Sequence, residues 1–237
     1  MISRRVFVAS GSALGLLSGM GAIASPEVER NRTGPPVQVA TTGKRHTLEQ
    51  AGPMLPPMPA ILLSINGVQD GPDEISVLWS FVVNGNPPQI GVSAGDEHVV
   101  RGLISQYREF VLNVPTREMV DAFDVVDMNS SRVADKFALA SLTRGRATTV
   151  RAPTVVESPI HLECRVFDSL LVPPARTLFL ADVLATSVSE GVCDAEGRLQ
   201  VDSVPFFGMT AGSGEFYTMG EAIGHIGMSV SRNDIKY

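Results

Sequence analysis

Between residues 60 and 188 the apolar residues of this chain come in short runs, each cut by a turn signal. Residues 61–65 end at Asn66-Gly67, and Asp70-Gly71-Pro72 marks a second turn. Residues 75–83, which hold the single tryptophan Trp79, form one long strand running into Asn84-Gly85-Asn86-Pro87-Pro88. Residues 89–93, 110–114 and 178–188 are further strands, the second stopped by Pro115 and the third followed by the turn Asp194-Ala195-Glu196-Gly197. Proline and glycine at this density break helices and place turns, so most of the chain is committed to short strands. The clearest segment alternates: Ile160, Leu162, Cys164 and Val166 point one way, and His161, Glu163 and Arg165 the other. His161 and Glu163 therefore share a polar face, which we read as a hydrated or subunit-facing sheet surface rather than a site.

Helical spacing is confined to three places. Val99, Val100, Leu103, Ile104 and Tyr107 fall on one face, with Asp96 placed as the N-cap. Thr116 is positioned to cap a second helix whose buried stripe is Met119, Val120, Phe123 and Val126, and a short helical piece covers residues 133–139. Many short strands with two or three short helices predict a mostly β (α+β) fold, an antiparallel barrel rather than a doubly wound sheet.

Residues 1–24 read as an export signal. Ser3-Arg4-Arg5-Val6-Phe7-Val8 resembles the twin-arginine consensus, a weakly apolar stretch follows, and Ala22-Ile23-Ala24 fits a small-x-small cleavage site. The expected destination is the periplasm or the extracellular space, with no membrane association once the signal is removed. Residues 25–52 are polar and broken by Pro26, Gly34, Pro35, Pro36 and Gly43, an extended arm. One domain then spans residues 53–227, ahead of a tail at 228–237.

Composition removes several function classes. The net charge is -6 with no long basic run beyond the N-terminus, so nothing supplies the clustered cations that a nucleic acid requires. Cys164 reads as a core residue and Cys193 as one near a turn, with a disulfide between them as the alternative; neither has metal-site spacing. There is no GxGxxG, P-loop, GxSxG or HExxH. Gly208, Gly212 and Gly214 open no helix and so make no standard phosphate cradle.

Six segments in register resemble the flavin reductase family, including the flavoredoxins. They are residues 72–79 (PDEISVLW), Asn86-Pro87-Pro88 with residues 90–93, and residues 110–115 (FVLNVP), which are similar to the family's FVVNIP strand. Residues 131–137 (SRVADKF), the stretch from Ala152-Pro153 to residues 158–165 (SPIHLECR), and residues 214–217 (GEFY) with Gly220-Glu221 complete the set. The resemblance implies an FMN-binding split β-barrel, a homodimer with the flavin near the subunit interface, and hydride transfer from NAD(P)H. FAD and riboflavin are the alternative flavins. The partners it implies are the flavin and a small-molecule electron donor or acceptor.

By position, the resemblance places Asp73, Ser76 and Trp79 on the strand bordering the flavin, with main-chain groups near Leu78, Ser93 and Ala94 at the ring or ribityl chain. Arg132 and Lys136 are its natural phosphate cations, against a reading as a solvated helix face. Phe216 and Tyr217 fit either barrel core or flavin neighbours. The chain departs from the family where its phosphate-loop arginine falls on His98 and its hydroxyl on Val100, amid Asp96 and Glu97. Asp73 stands for the family's asparagine, and Arg176 for a histidine linked to nicotinamide handling. Three readings follow: an NAD(P)H-dependent flavin oxidoreductase, a non-catalytic FMN-binding electron carrier, and a barrel that has exchanged flavin for another small ligand. Replacing Arg4 and Arg5 together by lysine is expected to hold the protein in the cytoplasm, as read by cell fractionation; undiminished export of that variant would point to another route.

Overall fold

A computed structural model describes residues 45, 47–68, 71–211, 213–220 and 222. The signal peptide, most of the arm and the expected tail lie outside them. The chain divides into two units at residues 49 and 50, and the second contains β1 (Met58–Pro59), β2 (Leu62–Ile65), β3 (Glu74–Val77), β4 (Trp79–Gly85) and β5 (Pro88–Gly95). Helix α1 (Val99–Tyr107) and β6 (Glu109–Val114) follow, then a 3-10 turn at Arg117–Met119 that runs into α2 (Val120–Met128), and α3 (Lys136–Leu139). The remaining strands are β7 (Arg144–Arg146), β8 (Pro153–Val155), β9 (Ile160–Val172), β10 (Arg176–Val188), β11 (Phe207–Met209) and β12 (Phe216–Thr218). No helix among the described residues is long and apolar enough to cross a membrane.

The main sheet runs β3-β2-β6-β9-β10-β5-β4, with every neighbouring pair antiparallel. Its two outer strands are halves of one stretch of chain. The long strand expected over 75–83 is instead interrupted at Leu78, so that β3 pairs with β2 and β4 pairs with β5. A sheet whose outer strands are joined by a single residue has to curl back on itself, which gives the split barrel. Phe81 lies across Gly91 on the facing strand, where a Cβ would come 2.3 Å from the ring. Only glycine admits that close approach.

Two cores share strand β2, all four of whose residues are buried. Leu63 and Ile65 point into the barrel with Val92, Phe110, Leu112, Phe179 and the apolar face of α1. Leu62 faces outward into a second core with Ile75, Phe123, Val126, Phe137 and Phe207. Period-two alternation with both faces covered is what makes this strand read as a continuous apolar run. Phe216 belongs to the second core: it meets Phe123 and Phe207 edge-on, at centroid distances of 5.6 and 5.7 Å. Tyr217 is exposed and donates its hydroxyl to Glu215.

Asn113 ties the layers together. Its buried amide donates to Leu62 O at 3.0 Å and Ser64 Oγ at 2.9 Å, and its oxygen accepts from the Val155 N–H at 2.8 Å. Both cysteines are free thiols, so the alternative of a disulfide is not realised. Burial, with the Glu163 charge beside it, pushes the Cys164 thiol up to about 12.

The structure corrects the sequence reading at two caps and one carboxylate. Helix α1 has His98, not Asp96, at its N-cap position, with no side-chain cap; Asp96 pairs with Arg101 instead. Thr116 precedes the 3-10 turn, likewise without a side-chain cap. Glu163 is not on a hydrated surface: it is 2% exposed. Its carboxylate accepts from the N–H and hydroxyl of Thr148 and of Thr149, and from the Val150 N–H. The strand alternation is real, but the loop before β8 folds over that face and brings the donors of residues 148–150 to the Glu163 carboxylate.

Burial alone would raise the Glu163 carboxyl, but the hydrogen bonds from Thr149 and Thr148 outweigh it and hold the group at about 2, against 4.5 for a free glutamate. The folded value is the lower one. Its contribution, on the order of 3 kcal/mol, is therefore complete above the unfolded value and is lost as pH falls toward the folded one. Glu163→Gln is expected to lower stability by about 1–3 kcal/mol at neutral pH and to flatten its pH dependence between 4.5 and about 2. Urea unfolding across that range measures both.

Candidate functional site

The interruption at Leu78 also builds the site. It swings Trp79 to the outer strand opposite Ser93 of β5, and Ser93 in turn faces Leu178 of β10. Arg176, at the start of β10 and opposite Gly95, reaches back across this junction. Its Nε donates to Ser93 Oγ at 3.0 Å and its Nη2 to Ser93 O at 2.9 Å, while its guanidinium carbon lies 4.7 Å from the centre of the Trp79 ring. A guanidinium stacked on indole is held flat, and its remaining N–H groups point outward in the plane. Leu78, Ser76 and Ala94 are buried behind this junction.

Residues 95–98 continue from it. The Asp96 N–H donates to Ala175 O at 3.0 Å, which binds the loop to the start of β10. Asp96 Oδ1 stands 3.2 Å from Arg101 Nε, and that nitrogen also donates to Thr177 Oγ1. The Glu97 carboxylate folds over Gly95, where a Cβ would come 2.3 Å from Oε1, and sits 3.2 Å from His98 Nε2. Arg132 closes the group by donating from Nη2 to Glu97 O at 3.3 Å. Burial holds the His98 imidazole below its ordinary value of 6.5. The charges of Arg176 and Lys136 push the same way, and those of Glu97 and Asp127 oppose them. The net lowering favours the uncharged ring.

The remaining candidates lie on β3 and α3. Lys136 is 6% exposed; its Nζ is 3.0 Å from Glu74 Oε1 and donates to Val126 O at 3.5 Å. Its charge is balanced inside the protein. Asp73 faces Arg144, with Oδ2 3.6 Å from Nε, and Arg144 also donates to Asp135 at 2.7 Å while lying 4.3 Å over the Phe137 ring. Asp135 caps α3 through the Phe137 and Ala138 N–H groups. Burial tends to raise its carboxyl, but the bonds from Arg144 and Ala138 hold it below its ordinary value. Asp73, Asp135, Glu74, Arg144 and Lys136 thus form a clamp between β3 and α3.

Trp79, Ser93, His98 and Arg132 are therefore joined in one run of contacts, while Asp73 and Lys136 belong to the clamp beside it. Sequence reasoning did not single out Glu74 as the partner of Lys136, and it read Arg176 only as a missing histidine. A lone arginine after Pro173-Pro174, just ahead of an apolar run, carries no periodic signal.

The donor chemistry fits a flavin. Trp79 offers an aromatic face, and the extended backbone at residues 93–94 offers polar groups along a strand. Arg132 and Arg176 hydrogen-bond to neutral oxygens, and neither has a carboxylate partner among the described residues.

Residues 55–201 match the model of the flavin reductase like domain family. The chain belongs to that family, whose members bind flavins on this barrel. It is 28% identical over 137 residues to an uncharacterised protein of Pyrococcus abyssi, an alignment that spans 58% of this chain and 77% of that one. Among solved structures, the flavoredoxin of Desulfovibrio vulgaris (Miyazaki F) superposes with a TM-score of 0.71 at 23% identity, covering 77% of this chain and 97% of its own. The flavoredoxin from Methanosarcina acetivorans gives 0.69 at 25% identity, covering 78% and 99%.

Removing one member of a buried ion pair leaves an uncompensated charge. Lys136→Met is expected to lower unfolding free energy by about 3–5 kcal/mol, and Lys136→Met combined with Glu74→Leu to recover most of it. Equal losses in the single and double variants, read by urea titration, would show that the pair is not the unit that matters.

Proposed function

We propose that the mature protein is an exported flavoprotein that binds FMN at the Trp79–Ser93–Arg176 junction and passes electrons from NAD(P)H to the flavin or on to an acceptor. One observation carries this reading. The break at Leu78 sets an aromatic ring, strand backbone and the Arg176 guanidinium, which has no carboxylate partner among the described residues, side by side on a barrel of the flavin reductase like family. Leu78, Trp79, Ser93 and Ala94 border the ring, with Ser76 on β3 and Asp73 just before it behind them. Arg132 stands beside residues 95–98, which include His98, for the phosphate end. Lys136, balanced by Glu74, supports this wall from inside.

A bound flavin supplies hydride and electron transfer, which is why the site needs no side chain of its own to break bonds. The chain's residues have simpler tasks. Trp79 and Arg176 hold a flat surface, the β5 backbone fixes orientation, and the buried Leu78 and Ala94 exclude water behind them.

A homodimer is part of the same proposal. Beyond Arg165, strand β9 has lost its β6 neighbour, and its free edge carries exposed Phe167, Leu170, Leu171 and Val172. On β4, Phe81 and Val82 are exposed as well. Apolar edges of this kind ask for a partner, and a second copy of the chain is the partner we assign.

The test is gel filtration of the purified mature protein with absorption read at both protein and flavin wavelengths. A dimer carrying oxidised-flavin bands that oxidises NADH is the expected result. Flavin bands without NADH turnover would leave an electron carrier, and a colourless protein that ignores added FMN would overturn the reading. Val82→Glu with Leu171→Glu should give a monomer.

A further inference from the structure

Four cations surround residues 95–98, and their partners separate them. Arg101 is held by the Asp96 carboxylate and the Thr177 hydroxyl. Lys136 is buried against Glu74. Arg132 is exposed and touches only the Glu97 carbonyl and its own turn. Arg176 is half-buried, like Arg101, but it is fixed without a carboxylate: it is bonded to the backbone and hydroxyl of Ser93 and stacked on Trp79. All of its partners are neutral, so the guanidinium has been ordered in place without being discharged.

That combination is unusual for a structural arginine. A buried cation normally takes a carboxylate, as Lys136 and Arg144 do here. Holding one in place with neutral acceptors costs desolvation and is repaid when an anion arrives. We infer that Arg176 is the principal anchor for the terminal phosphate of the flavin, and that it sets the preference of this site for a phosphorylated flavin over riboflavin. The inference rests on the flavin-binding reading above and assigns a residue to it that the sequence motifs do not.

Geometry adds a reason for the location. Arg176 stands opposite Gly95 in the β5–β10 ladder, and the neighbouring Ala175 carbonyl holds the Asp96 N–H. The guanidinium therefore lies on the same strand junction as the aromatic ring, at the end where residues 95–98 begin. A ligand with a flat ring at one end and a dianion at the other can meet Trp79 and Arg176 together. Arg132, exposed and bonded only to the Glu97 carbonyl and its own turn, is a second and weaker donor.

The experiment measures dissociation constants for FMN and for riboflavin by quenching of Trp79, the only tryptophan in the chain. Wild-type protein is compared with Arg176→Gln, Arg176→Lys and Arg132→Gln. Arg176→Gln is expected to weaken FMN by about 10- to 100-fold, equivalent to about 1.4–2.8 kcal/mol, while riboflavin changes less than about twofold. Arg176→Lys should lose less, and Arg132→Gln less than Arg176→Gln. Equal weakening of both flavins would overturn the inference, because Arg176 would then be shaping the ring platform. Unchanged FMN binding in Arg176→Gln would overturn it as well. Wild-type protein that binds neither flavin would instead remove the flavin-binding reading itself.

Because Arg176 also ties β10 to Ser93, the variant can fail by unfolding, and a measurement on unaltered protein covers that case. Inorganic phosphate, with ionic strength held constant by chloride, is expected to compete with FMN, to leave riboflavin binding unchanged, and to shift the emission of Trp79. Competition against both flavins, or against neither, would count against Arg176 as the phosphate anchor.

Discussion

The chain direction changes at Leu78, and the architecture depends on that change. On one side of it β3 adds to β2; on the other β4 adds to β5, at the opposite end of the same sheet. One residue thus links the two edges of the seven-stranded sheet and forces it to curl. Leu78 itself is buried in the barrel core, so the side chain at the turn is also a wedge that keeps the turn closed. Without it residues 74–85 would form one strand, and Trp79 would have no reason to face Ser93.

Charge is distributed around that turn in two distinct ways. Below it, on β3 and α3, cations and carboxylates are matched: Lys136 with Glu74, and Arg144 with Asp73 and Asp135. These contacts hold the α3 region against β3, with two cations shared among three carboxylates. Above it, near residues 95–98, Arg176 and Arg132 are held by oxygens that carry no formal charge. The same residue types are paired with carboxylates in one place and held by neutral oxygens in the other, and the difference lies in what they touch.

Much of the barrel was legible in the sequence because turns and alternation are local. The turns at Asn66-Gly67 and at residues 84–88, the α1 face and the alternation of Ile160, Leu162, Cys164 and Val166 all correspond to observed elements. The break at Leu78 was not legible, since an apolar run continues through it and only pairing with two different strands reveals it. The role of Glu163 was hidden for a related reason: a polar face predicts water, whereas a loop nearby in sequence supplied the donors. For the candidate site, motifs single out Trp79, Ser93, His98 and Arg132, which the fold joins in one run of contacts. The burial of Lys136 and the stacking of Arg176 were not legible, because both depend on partners more than sixty residues away or on the opposite strand.

The two thiols carry a consequence for how the molecule is made. Cys164 is sealed in the barrel with its proton firmly held, and Cys193 sits apart from it in the loop after β10. The fold thus closes by packing, hydrogen bonds and ion pairs, with no disulfide between its two cysteines. Folding of the described residues therefore needs no oxidant to form a bond between Cys164 and Cys193.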